Sequence, residues 1–177
     1  MKTSYLVISS LSGDHPGIVN SISEVIVDNG CNIEDSRMTV LGTEFAVILL
    51  VSGKWNAIAK LESALEGLGQ REDMQITTRR TEARETEGGR LPYGVDVATL
   101  DQPGIVHHLA GFFASHNINI EDMTTSRYPA AHTGTSMFAV HLDITIPAET
   151  HISALRDEFF DFCDRLNLDA VLEPIKN

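Results

Sequence analysis

The chain carries one loop pattern twice, Asp14-His15-Pro16-Gly17-Ile18-Val19 and Asp101-Gln102-Pro103-Gly104-Ile105-Val106. These residue types suit the capture of a small zwitterion. Proline presets a helical first dihedral and glycine lets backbone approach a neighbour closely. Such a loop exposes amides at a helix start, where a carboxylate is favoured, and the aspartate beside it favours an ammonium. The same residues have a purely structural use: Asp14 and Asp101 capping the helix, Asn32 and Asn119 fixing a turn before the next strand. Spacing alone leaves both uses open.

Asn-Ile-Glu-Asp follows each loop, at Asn32 to Asp35 and at Asn119 to Asp122, and both motifs repeat at one offset of 87 residues (101 − 14 and 119 − 32). The chain is therefore a duplication that preserves a strand, a turn and a helix as a unit. Other chemistry has no such support. The histidines His15, His107, His108, His116, His132, His141 and His151 form no metal-ligand spacing, and no nucleophile elbow, dinucleotide loop or phosphate loop occurs. Glu34, Asp35, Glu121 and Asp122 read as solvated strand edges rather than a cation site. Without an acid, base and nucleophile set the expectation is a binding protein, not an enzyme, with no cofactor and no metal.

Composition narrows the partners. A net charge of −12 opposes a phosphate backbone, so direct nucleic-acid binding is not expected and any effect on transcription should run through another protein. No run approaches the roughly 20 apolar residues of a membrane span. The first residues, MKTSYLVISSLSGD, alternate like a strand rather than a signal peptide. Two cysteines without a Cys-x-x-Cys spacing suggest neither zinc nor a disulfide framework, and Cys31 sits where the second copy has Ile118, as a small buried apolar residue would. The cytoplasm is the expected compartment.

Hydrophobic periodicity supplies the elements that must hold the loops. Tyr5 to Ser10 reads as a strand. Ile18, Val19, Ile22, Val25 and Ile26 share one helical face, ended by Asn29-Gly30. Met38 and Val40, then Phe45 to Val51, form a hairpin about Leu41 to Glu44; Trp55 to Leu68 is a helix and Met74 to Arg80 a last strand. Phe45 to Val51 is apolar on both faces, as in a strand central to its sheet or one covered by a neighbour. The second half repeats the order at Tyr93 to Leu100, Ile105 to His116, Glu121 to Arg127, Thr135 to Ile146, Thr150 to Leu166 and Leu168 to Ile175, with an insertion at Tyr128 to Gly134. The expected fold is α+β: two tandem ferredoxin-like βαββαβ domains, antiparallel sheets with helices on one face, over residues 1–80 and 91–177 with a polar linker at 81–90. Halves this small bury limited cores, so each should lean on a neighbour and a homo-oligomer is expected.

The two Asp-x-Pro-Gly turns, each followed by a helix and by Asn-Ile-Glu-Asp, resemble tandem ACT domains, ligand-sensing modules of amino-acid metabolism. More narrowly, Tyr5 to Asn20, Cys31 to Gly42 and Ser52 to Ile58 resemble the glycine cleavage system transcriptional repressor family. The resemblance implies a regulator without a DNA-binding element that acts on a LysR-type activator and is relieved by a small amino acid, glycine. An ACT-domain allosteric regulator of an amino-acid-metabolism enzyme is the alternative. In related ACT domains the effector lies between the first loop and the start of strand two of an adjoining domain. The matching positions are Asp14, His15, Gly17, Ile18, Val19, Asn32 and Ile33 in the first copy and Asp101, Gln102, Gly104, Ile105, Val106, Asn119 and Ile120 in the second. Gln102 in place of His15 and the Tyr128 to Gly134 insertion distinguish the copies.

Overall fold

The structure is a computed structural model that describes residues 3–84 and 88–175. The chain divides into two compact units, Met1–Glu85 and Thr86–Asn177. Unit one runs β1 (Thr3–Gly13), α1 (Ile18–Asp28), β2 (Asn32–Leu41), β3 (Glu44–Lys54), α2 (Trp55–Glu72) and β4 (Gln75–Thr81). Unit two runs β5 (Arg90–Leu100), α3 (Ile105–Ser115), β6 (Asn119–Pro129), β7 (Ser136–Pro147), α4 (Ile152–Arg165) and β8 (Asp169–Pro174). Each forms a four-stranded antiparallel sheet, ordered β2-β3-β1-β4 and β6-β7-β5-β8. Both have the expected ferredoxin-like βαββαβ arrangement. Of the expected linker, Thr81 closes β4, Arg90 opens β5, and residues 85–87 lie outside those described.

Strand alternation builds each core. Leu6 and Ile8 of β1 and Phe45, Val47, Leu49 and Val51 of β3 turn one face inward against Ile18, Ile22 and Ile26 of α1 and Ile58, Leu61, Leu65 and Leu68 of α2. Each such side chain, fully buried, contributes roughly 1.5–3 kcal/mol. Unit two uses rings instead, Phe113 and Phe159 meeting at 5.5 Å between α3 and α4, with Phe112 and Phe162 beside them. β3 lies inside its sheet, between β2 and β1. On its other face Ile48 is 48% exposed.

Among the described residues the four helices each stop at a left-handed residue, Gly30, Asp73, Asn117 and Asn167. Asn117 therefore does in the second copy what Gly30 does in the first. At the helix starts the structure corrects an expectation. α1 and α3 begin one residue after Gly17 and Gly104, which occupy the N-cap position at φ 104° and 91° without a side-chain cap. Asp14 and Asp101 are thus not caps, and the prolines precede the helices rather than opening them. These positive φ values, as well as close approach, require glycine. Among the described residues no helix is long and apolar enough to cross a membrane.

Candidate functional site

Both loops are hung on the same backbone bond. The Asp14 N–H donates to the Thr43 carbonyl at 2.9 Å, and the Asp101 N–H donates to the Ser136 carbonyl at 3.0 Å. This ties the end of β1 or β5 to the start of β3 or β7 and presents the helix N-terminus beside the aspartate. The first carbonyl of each helix to be used is that of Gly17 or Gly104, accepting from Ser21 or His108 at 2.9 Å. The amides at the start of each helix, Ile18 and Val19 or Ile105 and Val106, are left without intrahelical acceptors. An anion placed there meets N–H groups and the positive end of the helix dipole.

The side chains at the expected positions divide by role. Ile18 and Ile105 are buried core residues, so only their amides are available at the helix start. Val19 and Val106 are 46% and 37% exposed. His15 is exposed, its Nδ1 3.2 Å from the Pro16 carbonyl, and Gln102 is exposed. Asp14 makes no side-chain hydrogen bond or ion pair among the described residues. Asp101 does: its Oδ2 pairs with Arg127 Nε at 3.1 Å and accepts from the Ser136 hydroxyl at 3.5 Å.

The Asn-Ile-Glu-Asp motif proves to be a bulged strand entrance. The β2–β3 register shifts between Ile33 and Asp35, and the β6–β7 register shifts between Ile120 and Asp122, so Glu34 and Glu121 are the extra residues. Each glutamate is held from two sides. Glu34 accepts from Asn32 Nδ2 at 3.4 Å and from the Ser52 hydroxyl; Glu121 accepts from Asn119 Nδ2 at 2.7 Å and from the Thr145 hydroxyl at 2.9 Å. The repeated asparagine therefore has a structural task at the bulge. Asp35 is drawn below the usual carboxylate range by Arg37 and by the Ser36 amide.

Within one unit the expected residues do not all converge. Asn32 pairs with Ser52 at one end of β3, whereas Asp14 bonds Thr43 just beyond the other. Nine residues of strand separate those ends, roughly 25–30 Å. Val19 and Ile33 do line one cavity, of about 40 Å³, between α1 and β2 with Ile22, Met38, Val47 and Leu49. Two larger open grooves, about 520 Å³ between α2 and β4 and about 340 Å³ over the second sheet, contain none of the expected residues.

Three features escaped the sequence reading. Ser10 and Ser12 are only 4% and 6% exposed, and neither hydroxyl has a hydrogen-bond partner among the described residues. Their second-copy equivalents are Val97 and Thr99, whose hydroxyl donates to the Asn167 carbonyl at 3.2 Å. Arg127 was readable as a charge where the first repeat has Val40. On the open face of the second sheet, His141 Nδ1 lies 2.7 Å from Asp96 and its Nε2 lies 3.5 Å from Asp143, and these carboxylates hold the imidazole above its ordinary value. Among the described residues no cluster has the makings of a metal site.

Comparison with known proteins places the chain. ACT-domain models match residues 4–79 and 95–160. The glycine cleavage system transcriptional repressor of Escherichia coli K12 is 36% identical over 171 residues, covering 97% of this chain and 90% of that protein. A crystal structure assigned to the same repressor group superposes with TM-score 0.76 at 28% identity over the full length of both chains. An uncharacterised protein of Galdieria sulphuraria matches with TM-score 0.80 at 28% identity, over 99% of this chain and 100% of that one. The chain belongs to the glycine cleavage system transcriptional repressor family and is built of two ACT domains.

Proposed function

We propose that this protein is a glycine-responsive repressor that works by protein contact, binding a LysR-type activator of glycine cleavage genes and letting go when glycine occupies its ACT loop. The observation that carries the reading is the loop itself. Asp14 has no side-chain partner among the described residues and stands beside the unbonded amides at the start of α1, so one site offers a group for each end of a zwitterion. Family membership supplies the regulatory class, an amino-acid sensor. The charge of −12 supports a protein partner over DNA, and the reading assigns no catalytic step.

Glycine acts only by preferring one of two states. A hundredfold preference for the free repressor corresponds to about 2.7 kcal/mol, within the usual range of coupling energies. Asn32 lies at the far end of the strands from Asp14, so a ligand touching both of these side chains needs a second copy of the domain to supply one of them. Self-association of the chain supplies one such arrangement and is part of the proposal, as is a cytoplasmic location.

Thermal unfolding of the purified chain against the twenty amino acids tests this reading without a partner. Free ligand at a hundred times its dissociation constant adds about 2.7 kcal/mol. The expected result is a midpoint raised by glycine selectively. No shift with any amino acid would overturn the sensor reading.

A further inference from the structure

The two loops share a backbone but not their surroundings. We propose that the second loop is closed to amino acids by the chain's own side chains, Arg127 on Asp101 and His108 over Gly104, so that each chain takes one α-amino acid, at the first repeat. This rests on the amino-acid-binding reading above and goes beyond it by assigning the copy.

The closure is built from two contacts. The Arg127 guanidinium, charged at every physiological pH, stands 3.1 Å from Asp101 Oδ2, where a ligand's ammonium would have to go. As part of the same chain it competes at a high effective concentration. The 87-residue offset puts Val40 at the corresponding place in the first repeat (127 − 87), and among the described residues no cation pairs with Asp14. The second contact is at the glycine. The side of Gly104 where a Cβ would stand is covered by the His108 ring at 3.5 Å, whereas nothing lies within 4 Å of that side of Gly17. Ser21 takes the place of His108 in the first repeat (108 − 87).

A separate observation favours the first copy. Ser10 and Ser12 lie four and two residues before Asp14, on the helix-facing side of β1 at the end where α1 begins, buried and without partners among the described residues. Buried hydroxyls are normally satisfied, and leaving one unpaired costs stability. In the second copy this cost is absent, because one position is Val97 and the other is the bonded Thr99. The first repeat thus keeps a carboxylate and two buried hydroxyls without partners among the described residues, while in the second Asp101 is paired with Arg127 and Thr99 is bonded.

Glycine titrated into the full chain, followed by amide NMR and calorimetry, tests the assignment. The expected result is one glycine per chain, with the Gly17, Ile18 and Val19 amides moving and those of Gly104, Ile105 and Val106 still. The double variant Arg127→Val/His108→Ser installs the residues of the first repeat and should raise the count to two, with the second loop now responding. The reciprocal Val40→Arg should abolish binding at the first loop. The wild-type chain responding at both loops, or the double variant folded but still taking one glycine, would overturn the assignment. Glycine moving neither loop in any variant would overturn the amino-acid reading itself, and this inference with it.

Discussion

Ser10→Ala should stabilise the first unit. The substitution removes a buried hydroxyl that has no partner among the described residues and changes nothing else at a position only 4% exposed. An unsatisfied buried polar group costs about 1–3 kcal/mol. The void left by one oxygen, on the order of 10–20 Å³, returns roughly 0.3–0.5 kcal/mol at the usual cavity coefficient. The net gain is about 1 kcal/mol, equivalent to about 4–8 °C in the midpoint of a domain this size. Two units in one chain can unfold separately, so a global melt is a poor reporter. Trp55, the chain's one tryptophan, opens α2 in unit one with the Arg80 guanidinium 5.3 Å from its ring centre, and its fluorescence follows that unit alone. Urea unfolding read at Trp55 should show the midpoint rising by about 1 M, given a slope of about 1 kcal/mol/M. If the hydroxyl serves the ligand, glycine affinity should fall in the same variant, the familiar exchange of stability for function. A midpoint that drops by half a molar or more would mean that the Ser10 hydroxyl is satisfied in solution, and the argument from unpaired hydroxyls would fail.

Other expectations follow from single contacts. A Cβ on Gly53 would stand 2.7 Å from the Cys31 sulfur, so Gly53→Ala should cost about 1–3 kcal/mol at Trp55, and Cys31→Ala in the same chain should recover part of it. Burial raises both thiols, Cys163 to about 12, so neither should react with maleimide at pH 8 until the chain unfolds; rapid native labelling would contradict this. His116 is held above its ordinary value by the Phe112 carbonyl and then by Glu158, and His141 by Asp96. A raised folded pKa means stability fully present below the unfolded value of about 6.5 and lost as pH climbs through the folded one. The second unit should therefore unfold at lower urea at pH 8 than at pH 5.5, by circular dichroism, and His116→Gln/His141→Asn should flatten the difference.

The fold was legible because it is written twice. The 87-residue offset made each half a check on the other, and the helix stop at Asn29-Gly30 has its counterpart in the left-handed Asn117. Strand ends ran longer than the apolar pattern: β1 extends from Thr3 to Gly13 because pairing with β3 continues through Ser12 and Gly13, which no local signal reports. The helix starts were misplaced for a similar reason, since an aspartate before Pro-Gly suggests a cap while a left-handed glycine fills that position. The glutamate bulge needed the register across β3 to be visible. At the candidate site, the loop residues were proposed from their types. Their surroundings were not, because Arg127 and Ser136 reach Asp101 from strands distant in sequence and Ser10 looks like any strand serine until its burial is known.

The central claim is an interface that glycine weakens, and it is tested most directly by measuring the affinity of the full chain for the purified LysR-type activator with and without saturating glycine, by surface plasmon resonance. The account expects binding in the absence of DNA, weakened about a hundredfold by glycine, corresponding to about 2.7 kcal/mol, and insensitive to glycine in Asp14→Asn. An activator that does not bind, or binds equally with and without glycine, would contradict it.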